Sequence, residues 1–367
     1  MADDKFGVIV VGAGLAGCAA AYALAKAGVD VLVIERGNYA GSKNVTGGMI
    51  YAHSLEKRFP DLAACAPFER RITSEKFFLR AANEVTGLEE KDYGLSSSDK
   101  YSILRAKFDR WFAEKAEEMG AMFVCGIRVD ELIVRDGCVC GIVAGDEEMD
   151  ADVIILAEGV NAVLAQKIGL RKDLSVDAAC VGAKEVIELG EDLINERFGG
   201  EGAEWTFLGD RGKGEVCDGF LYTNRSSLSV GVMMTVADAE KVVRKMPEMV
   251  EEFLSLPQVA EKIEGGVLLE YAAHLLHKGS ALNLEGIYAD GVLVVGDTAG
   301  FVCNTGDMVR GMDMAVESGY LAAQAVIAAR AAGDFSAAQF SSYRKAIEES
   351  YISSDMKKCA AILSTKQ

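Results

Sequence analysis

The chain has 367 residues, half of them hydrophobic, which is enough for two domains or one large discontinuous one. Its 38 Lys and Arg against 56 Asp and Glu leave a net charge of −18, which argues against nucleic acid as a partner. The nine cysteines are scattered without a C-x-x-C spacing, which argues against a disulfide framework or a thiolate iron–sulfur site and fits a reduced cytoplasm.

The first elements carry the strongest signal. Phe6–Val11 is apolar and ends abruptly in Gly12-Ala13-Gly14-Leu15-Ala16-Gly17. A small-residue run continues to Ala27, Gly28 punctuates it, and a second largely apolar run over 29–34 leads to Glu35 and Arg36. This order reads as strand, glycine turn, helix, strand. Gly12 permits the tight turn, Gly14 lets backbone N–H groups approach a pyrophosphate, and Gly17 lets the helix lie close on the sheet. The positive end of the helix then faces the phosphates. Glu35 stands near the roughly 20-residue offset of a carboxylate that accepts from adenosine ribose hydroxyls. Its charge repels a 2′-phosphate, which favours FAD or NAD over NADP. The uncharged stretch 6–25 resembles a membrane span, but its glycines and the preceding Asp3, Asp4 and Lys5 fit neither a span nor a signal peptide. The expectation is a cytoplasmic protein with at most a peripheral contact at the inner face of the cell membrane.

Residues 41–48 are rich in Gly, Ser, Asn and Thr and read as a loop. Its place after the second strand brings Lys43, Asn44, Gly47 and Gly48 back over the cofactor; an ordinary surface loop is the alternative. A short helix opens at His53, a strand covers 73–82, and 89–100 is polar and turn-like. A helix follows from Ile103 to about Met119, with Phe108, Trp111, Phe112 and Ala116 on one face. Arg105, at its start, either points at a phosphate or makes a surface ion pair. Strands cover 121–129, 131–134 and 138–144, with Gly137 marking a hairpin. A buried strand over 150–157 ends in Ala157-Glu158-Gly159, a second contact to the dinucleotide.

Residues 175–284 change character, with β-like runs at 181–189, 205–208, 220–223 and 228–235. They read as an antiparallel sheet that covers a substrate pocket. Helices follow near 237–245 and 250–256, with Pro247 and Pro257 as stops. A buried strand over 292–295 ends in Gly296 and Asp297. A helix from about Val309 to Ala332 follows, and 337–367 is helical. The fold class expected is α/β: a Rossmann-like FAD-binding domain (1–70, 101–172 and 285–367) with an inserted antiparallel-sheet substrate domain (71–100 and 173–284).

Three strand ends thus carry a glycine and an acid, and the late one suits FAD better than NAD. The ribityl chain of FAD needs an acceptor such as Asp297, far from the adenine end. The helix beyond aims N–H groups at the pyrimidine side of the flavin, where negative charge develops on reduction. Electron or hydride transfer needs no obligatory side-chain acid or base, so no catalytic residue is assigned. His53 either faces the flavin or is structural. His274 and His277 share a face only in a helix, and without a third ligand no metal is assigned.

The motifs I-V-V-G-A-G-x-A-G, L-R-x-x-F-D-x-W, A-E-G-V-N and V-G-D-x-A-G-F resemble those of flavoproteins with the p-hydroxybenzoate-hydroxylase fold. Within them, S-K-N-V-T-G-G, E-Y-x-x-H-L and the run from Asn304 to Asp313 resemble the FixC-type branch. That branch is related to electron-transfer-flavoprotein:quinone oxidoreductase and to geranylgeranyl reductases. The resemblance implies that Gly12, Gly14, Gly17, Glu35, Arg105, Val129, Gly159, Gly296 and Asp297 hold FAD, with Gly306, Asp307 and Met308 close to the flavin. It further implies electron flow from an electron-transfer flavoprotein toward a quinone or a small ferredoxin. A lipid-like prenyl substrate, reduced at a double bond, is the alternative. This chain has Glu158 where relatives often have Asp, and His277 where proline is expected. It ends at Gln367 where relatives run on, so part of a quinone or partner surface is expected to lie outside it.

Overall fold

The computed structural model describes residues 5–366 apart from 45–46, 82–83, 89–93, 96–98, 211, 213, 215–216, 280 and 307. Two large sheets organise these residues. The first has eight strands, ordered along its main path Tyr288–Ala289, Val292–Val294, Glu147–Leu156, Phe6–Val11, Val31–Glu35 and Met122–Cys125. Phe6–Val11 runs parallel to both neighbours, with Val8 opposite Val31 and Val153. Strands covered on both faces need continuous Val, Ile and Leu, which Val8, Ile9, Val10, Val31, Leu32 and Val33 supply. The expected hairpin pairs Glu131–Arg135 with Cys138–Ala144. Asp136 and Gly137 both take positive φ there, as a tight two-residue turn requires.

The helix Leu15–Lys26 follows the glycine turn and is buried on almost every side, because its residues are small. Met312–Ala332 lies across it so closely that a Cβ on Gly319 would come 2.2 Å from the carbonyl oxygen of Ala16. This long helix begins at Met312 rather than Val309, because Val309–Arg310 pairs with Cys303–Asn304. The terminal segment is two helices, Ala337–Glu349 and Tyr351–Lys366.

The second sheet has nine strands, ordered Val267–His277, Ala179–Glu188, Ser227–Thr235, Asp218–Thr223, Gly202–Gly209, Arg70–Ala81, Lys100–Ile103 and Gly48–Tyr51, with Glu84–Leu88 beside Arg70–Ala81. Its strands between 179 and 277 pair antiparallel with one another, as expected for that region, and the departure lies in their junction with the earlier strand. Gly202–Gly209 runs parallel to Arg70–Ala81. Those two strands are separated by a long excursion through the first sheet, and such a crossover permits parallel pairing. Lys100, placed by sequence in a turn, opens the strand Lys100–Ile103. Pro247 and Pro257 start helices rather than stop them, opening Met246–Leu254 and Pro257–Ile263, where a missing N–H leaves no bond unmade. The helix expected at 237–245 is confined to Val236–Ala239.

One hydrophobic core lies around the first sheet and its helices. A second joins Trp205, Phe207, Val230 and Val232 of the nine-stranded sheet to Met249, Val250 and Phe253 of a helix on it. No helix among the described residues is long and apolar enough to cross a membrane.

Candidate active site

The glycine turn is held by contacts that tolerate no side chain. Gly12 has φ +105°, and a Cβ on it would lie 2.3 Å from the carbonyl oxygen of Ala157. A Cβ on Gly17 would lie 1.9 Å from the carbonyl oxygen of Gly12. Glu35 pins the same turn from the next strand. Its Oε2 accepts from the Ala13 N–H at 2.9 Å and its Oε1 from the Gly37 N–H at 2.7 Å. Each carboxylate oxygen keeps a further lone pair for a ligand hydroxyl.

This turn opens into a cavity of about 1390 Å³. Gly12, Gly14, Leu15 and Ala16 line one end, with Glu35 and Arg36 beside them. Lys43, Asn44, Gly47 and Gly48 line it from the loop after the second strand. Arg105, Val129, Ala157, Glu158 and Gly159 also line it, as do Asp297, Gly306 and Met308. Ala13, Gly17 and Gly296 stand behind the lining. Gly296 is a spacer: a Cβ there would lie 3.0 Å from the Ala16 Cβ, and its N–H donates to the Ser318 hydroxyl at 2.9 Å. Asp307 lies outside the described residues.

Arg105 makes an ion pair, but not a surface one. Its side chain is 16% exposed, and its Nε and Nη2 each donate to Asp109 at 2.7 Å. Burial opposes the charge, yet Asp109 holds the guanidinium above its ordinary range. Asn44 donates to the same carboxylate at 2.7 Å, tying the loop to the helix start. Glu158 accepts from the N–H groups of Leu164 and Ala165 at 2.8 and 3.1 Å, while burial pushes its carboxyl up. Burial also raises Asp297, and Arg105 pulls it the other way. The Asp297 carboxylate has no hydrogen-bond partner among the described residues. An unpartnered acid in a cavity wall fits a hydroxyl-bearing chain such as the ribityl of FAD, and the side-chain-free turn fits its pyrophosphate.

The nine-stranded sheet forms the opposite wall, and sequence reasoning missed its charges. Lys184 reaches the carbonyl oxygen of Gly47 at 2.9 Å and the Tyr222 hydroxyl at 3.1 Å. Lys100 bridges Glu75 at 2.7 Å and Glu204 at 2.6 Å. Burial opposes the Lys100 charge, but Glu204, Tyr51 and Glu75 hold the ammonium above its ordinary range, while burial raises Glu204. The signal was a Lys or Glu inside an apolar β run, which any solvent-facing strand also shows. Arg310 is buried beside the cavity, bonded to Asp313 and Asp355 and 4.2 Å from the Tyr51 ring centre. His53 belongs to this cluster and not to the lining: it lies 3.5 Å from Asp313 and packs edge-on against Tyr351. His274 and His277 are in the strand Val267–His277, so the shared helix face does not arise.

Residues 7–101 match the family model described as FAD dependent oxidoreductase. The Escherichia coli K12 protein named probable electron transfer flavoprotein-quinone oxidoreductase YdiS is 44% identical over 361 residues, 97% of this chain and 84% of that protein. Protein FixC of Salmonella typhi is 44% identical over 354 residues, 95% of this chain and 83% of that one. Protein FixC of Azorhizobium caulinodans is 38% identical over 368 residues, covering 98% and 84%. A geranylgeranyl bacteriochlorophyll reductase-like protein from Thermoplasma acidophilum superposes with a TM-score of 0.78 at 20% identity, over 98% of this chain and 87% of that one. The halogenase PltM, solved with FAD, gives 0.67 at 16% identity, over 94% and 74%. Likeness at that distance concerns the fold. The relatives at 44% identity, the matching family model and the turn built around Gly12 agree: the chain belongs to the FixC and electron-transfer-flavoprotein–quinone oxidoreductase family, FAD-dependent oxidoreductases of electron transfer.

Proposed function

We propose that the protein takes electrons from an electron-transfer flavoprotein and passes them to a quinone, with a small ferredoxin as the other acceptor this reading admits. FAD, when bound, supplies the redox chemistry. In this reading Gly12, Gly14 and the start of Leu15–Lys26 hold the pyrophosphate, with Arg105 as its counter-charge. Glu35 accepts from the adenosine ribose, and Asp297 from the ribityl chain. Gly47 and Gly48 bring backbone to one face of the ring, and Gly306 and Met308 border it. The flavin-holding part then corresponds to 1–70, 101–172 and 285–367, and the acceptor wall to 71–100 and 173–284.

One observation carries this reading: the cavity has two unlike walls, a backbone turn suited to a dinucleotide and a sheet bearing Lys184, Lys100, Glu75 and Glu204. At about 1390 Å³ it exceeds the roughly 300–1,000 Å³ of ordinary small-molecule sites, in keeping with a ligand as long as a dinucleotide. The competing reading, saturation of a prenyl double bond, calls for a long apolar tunnel, and four charged side chains on one wall oppose it. Stopped-flow mixing tests the choice. Rapid bleaching of the flavin by reduced electron-transfer flavoprotein, reversed by a quinone, is the expected result. Turnover of a prenyl substrate, without such bleaching, overturns it.

A further inference from the structure

Lys184 lies in Ala179–Glu188 and is 2% exposed, yet it has no carboxylate within ion-pair distance among the described residues. Its two partners, the Gly47 carbonyl and the Tyr222 hydroxyl, are neutral. Glu270 acts on it only at longer range, and Arg105 opposes that effect. Lys100, on the same wall, holds two carboxylates. A buried ammonium without a counter-charge destabilises a fold, so its presence at a cavity calls for a ligand that brings one.

The position of Lys184 is tightly defined. Gly47 has φ +80°, and a Cβ there would meet the Ile103 carbonyl oxygen at 2.8 Å, the Tyr222 hydroxyl at 3.0 Å and Lys184 Nζ at 3.2 Å. The ammonium therefore sits where the glycine loop meets the sheet, on the cavity lining. In its protonated form, which burial disfavours and a bound anion restores, it has three N–H donors, and two are engaged.

We propose that Lys184 grips the carbonyl oxygen of the acceptor, donating its third N–H there and stabilising the negative charge that gathers on that oxygen during reduction. This assignment rests on the quinone reading above. A quinone offers both the acceptor atom and the developing oxyanion. A hydrocarbon double bond offers neither, so Lys184 selects carbonyl compounds. Tyr222 orients the amine, and burial keeps its phenol protonated by pushing its pKa up.

The test titrates FAD-loaded protein with 2-hydroxy-1,4-naphthoquinone, an anion at neutral pH, by difference absorbance. Lys184→Met is expected to weaken binding about thirty-fold, the range of a hydrogen bond to a charged group, and Lys184→Arg to restore part of it. Tyr222→Phe, an independent probe of the same site, is expected to weaken binding about three-fold. Wild-type binding with Lys184→Met and Tyr222→Phe both within about two-fold overturns the assignment alone, since that is below the worth of one hydrogen bond. A shifted flavin reduction potential in Lys184→Met with unchanged probe affinity also overturns it, because the lysine then serves the flavin. Absence of any binding to the wild type, with the flavin still bleached by reduced electron-transfer flavoprotein, overturns the quinone reading and this assignment together.

Discussion

The two walls of the cavity are made of different material. The turn wall is backbone, held by glycines and by the carboxylate of Glu35, whereas the sheet wall is long charged side chains from separate strands. A backbone site depends on the absence of side chains, so one added methyl group disrupts it. A side-chain site depends on balanced charges, so the effect of each residue follows from what it leaves behind.

The largest effect is expected where the backbone has no room. Gly12→Val would place a β-branched residue at φ +105° with its Cβ 2.3 Å from a carbonyl oxygen. A loss of more than about 3 kcal/mol and of bound flavin is expected, read as purified protein without visible flavin absorbance. Retention of flavin at wild-type stoichiometry would break the comparison, because the turn would then accept side chains. Next comes Arg310, the cation buried between Asp313 and Asp355. Arg310→Met removes the cation held between two buried acids and is expected to lower stability by about 3–5 kcal/mol in urea unfolding.

The same contrast explains what the sequence disclosed. The turn wall was legible because Gly12, Gly14, Gly17 and Glu35 stand at fixed offsets inside one strand–helix–strand unit. The three glycine-and-acid strand ends also pointed to the parallel sheet, although only the crossover from Phe6–Val11 to Val31–Glu35 is local, and its other parallel pairs join distant stretches of chain. The sheet wall was not legible, since its pairs meet only after folding: Lys100 with Glu204, and Lys184 with Tyr222. Even Arg105, flagged at its helix start, hid its partner's burial, because Asp109 is fully enclosed only once Gly41 and Asn44 close over it. Pro247 and Pro257 misled for a related reason: a proline marks a helix boundary without saying which side of it the helix lies on.

The two lysines of the sheet wall sharpen the comparison, since identical changes should act in opposite directions. Lys100→Met strands Glu75 and Glu204 beside each other, and a loss of about 2 kcal/mol is expected in urea unfolding, below the fully buried case because both acids keep some solvent. Lys184→Met strands no acid and removes a desolvated amine, so a gain of about 1 kcal/mol is expected in the flavin-loaded protein. That gain should depend on pH. Burial holds the folded-state pKa of Lys184 well below its ordinary value, so the unfolded chain binds the extra proton and wild-type stability rises with pH through this window. The advantage of Lys184→Met is therefore greatest below the folded-state pKa and shrinks as pH climbs toward about 10.4, where the unfolded lysine also loses its proton. Urea midpoints of both proteins across that range measure it. An advantage that stays flat with pH would mean that Lys184 titrates alike in the folded and unfolded chain, and the gain could not then come from removing a desolvated charge.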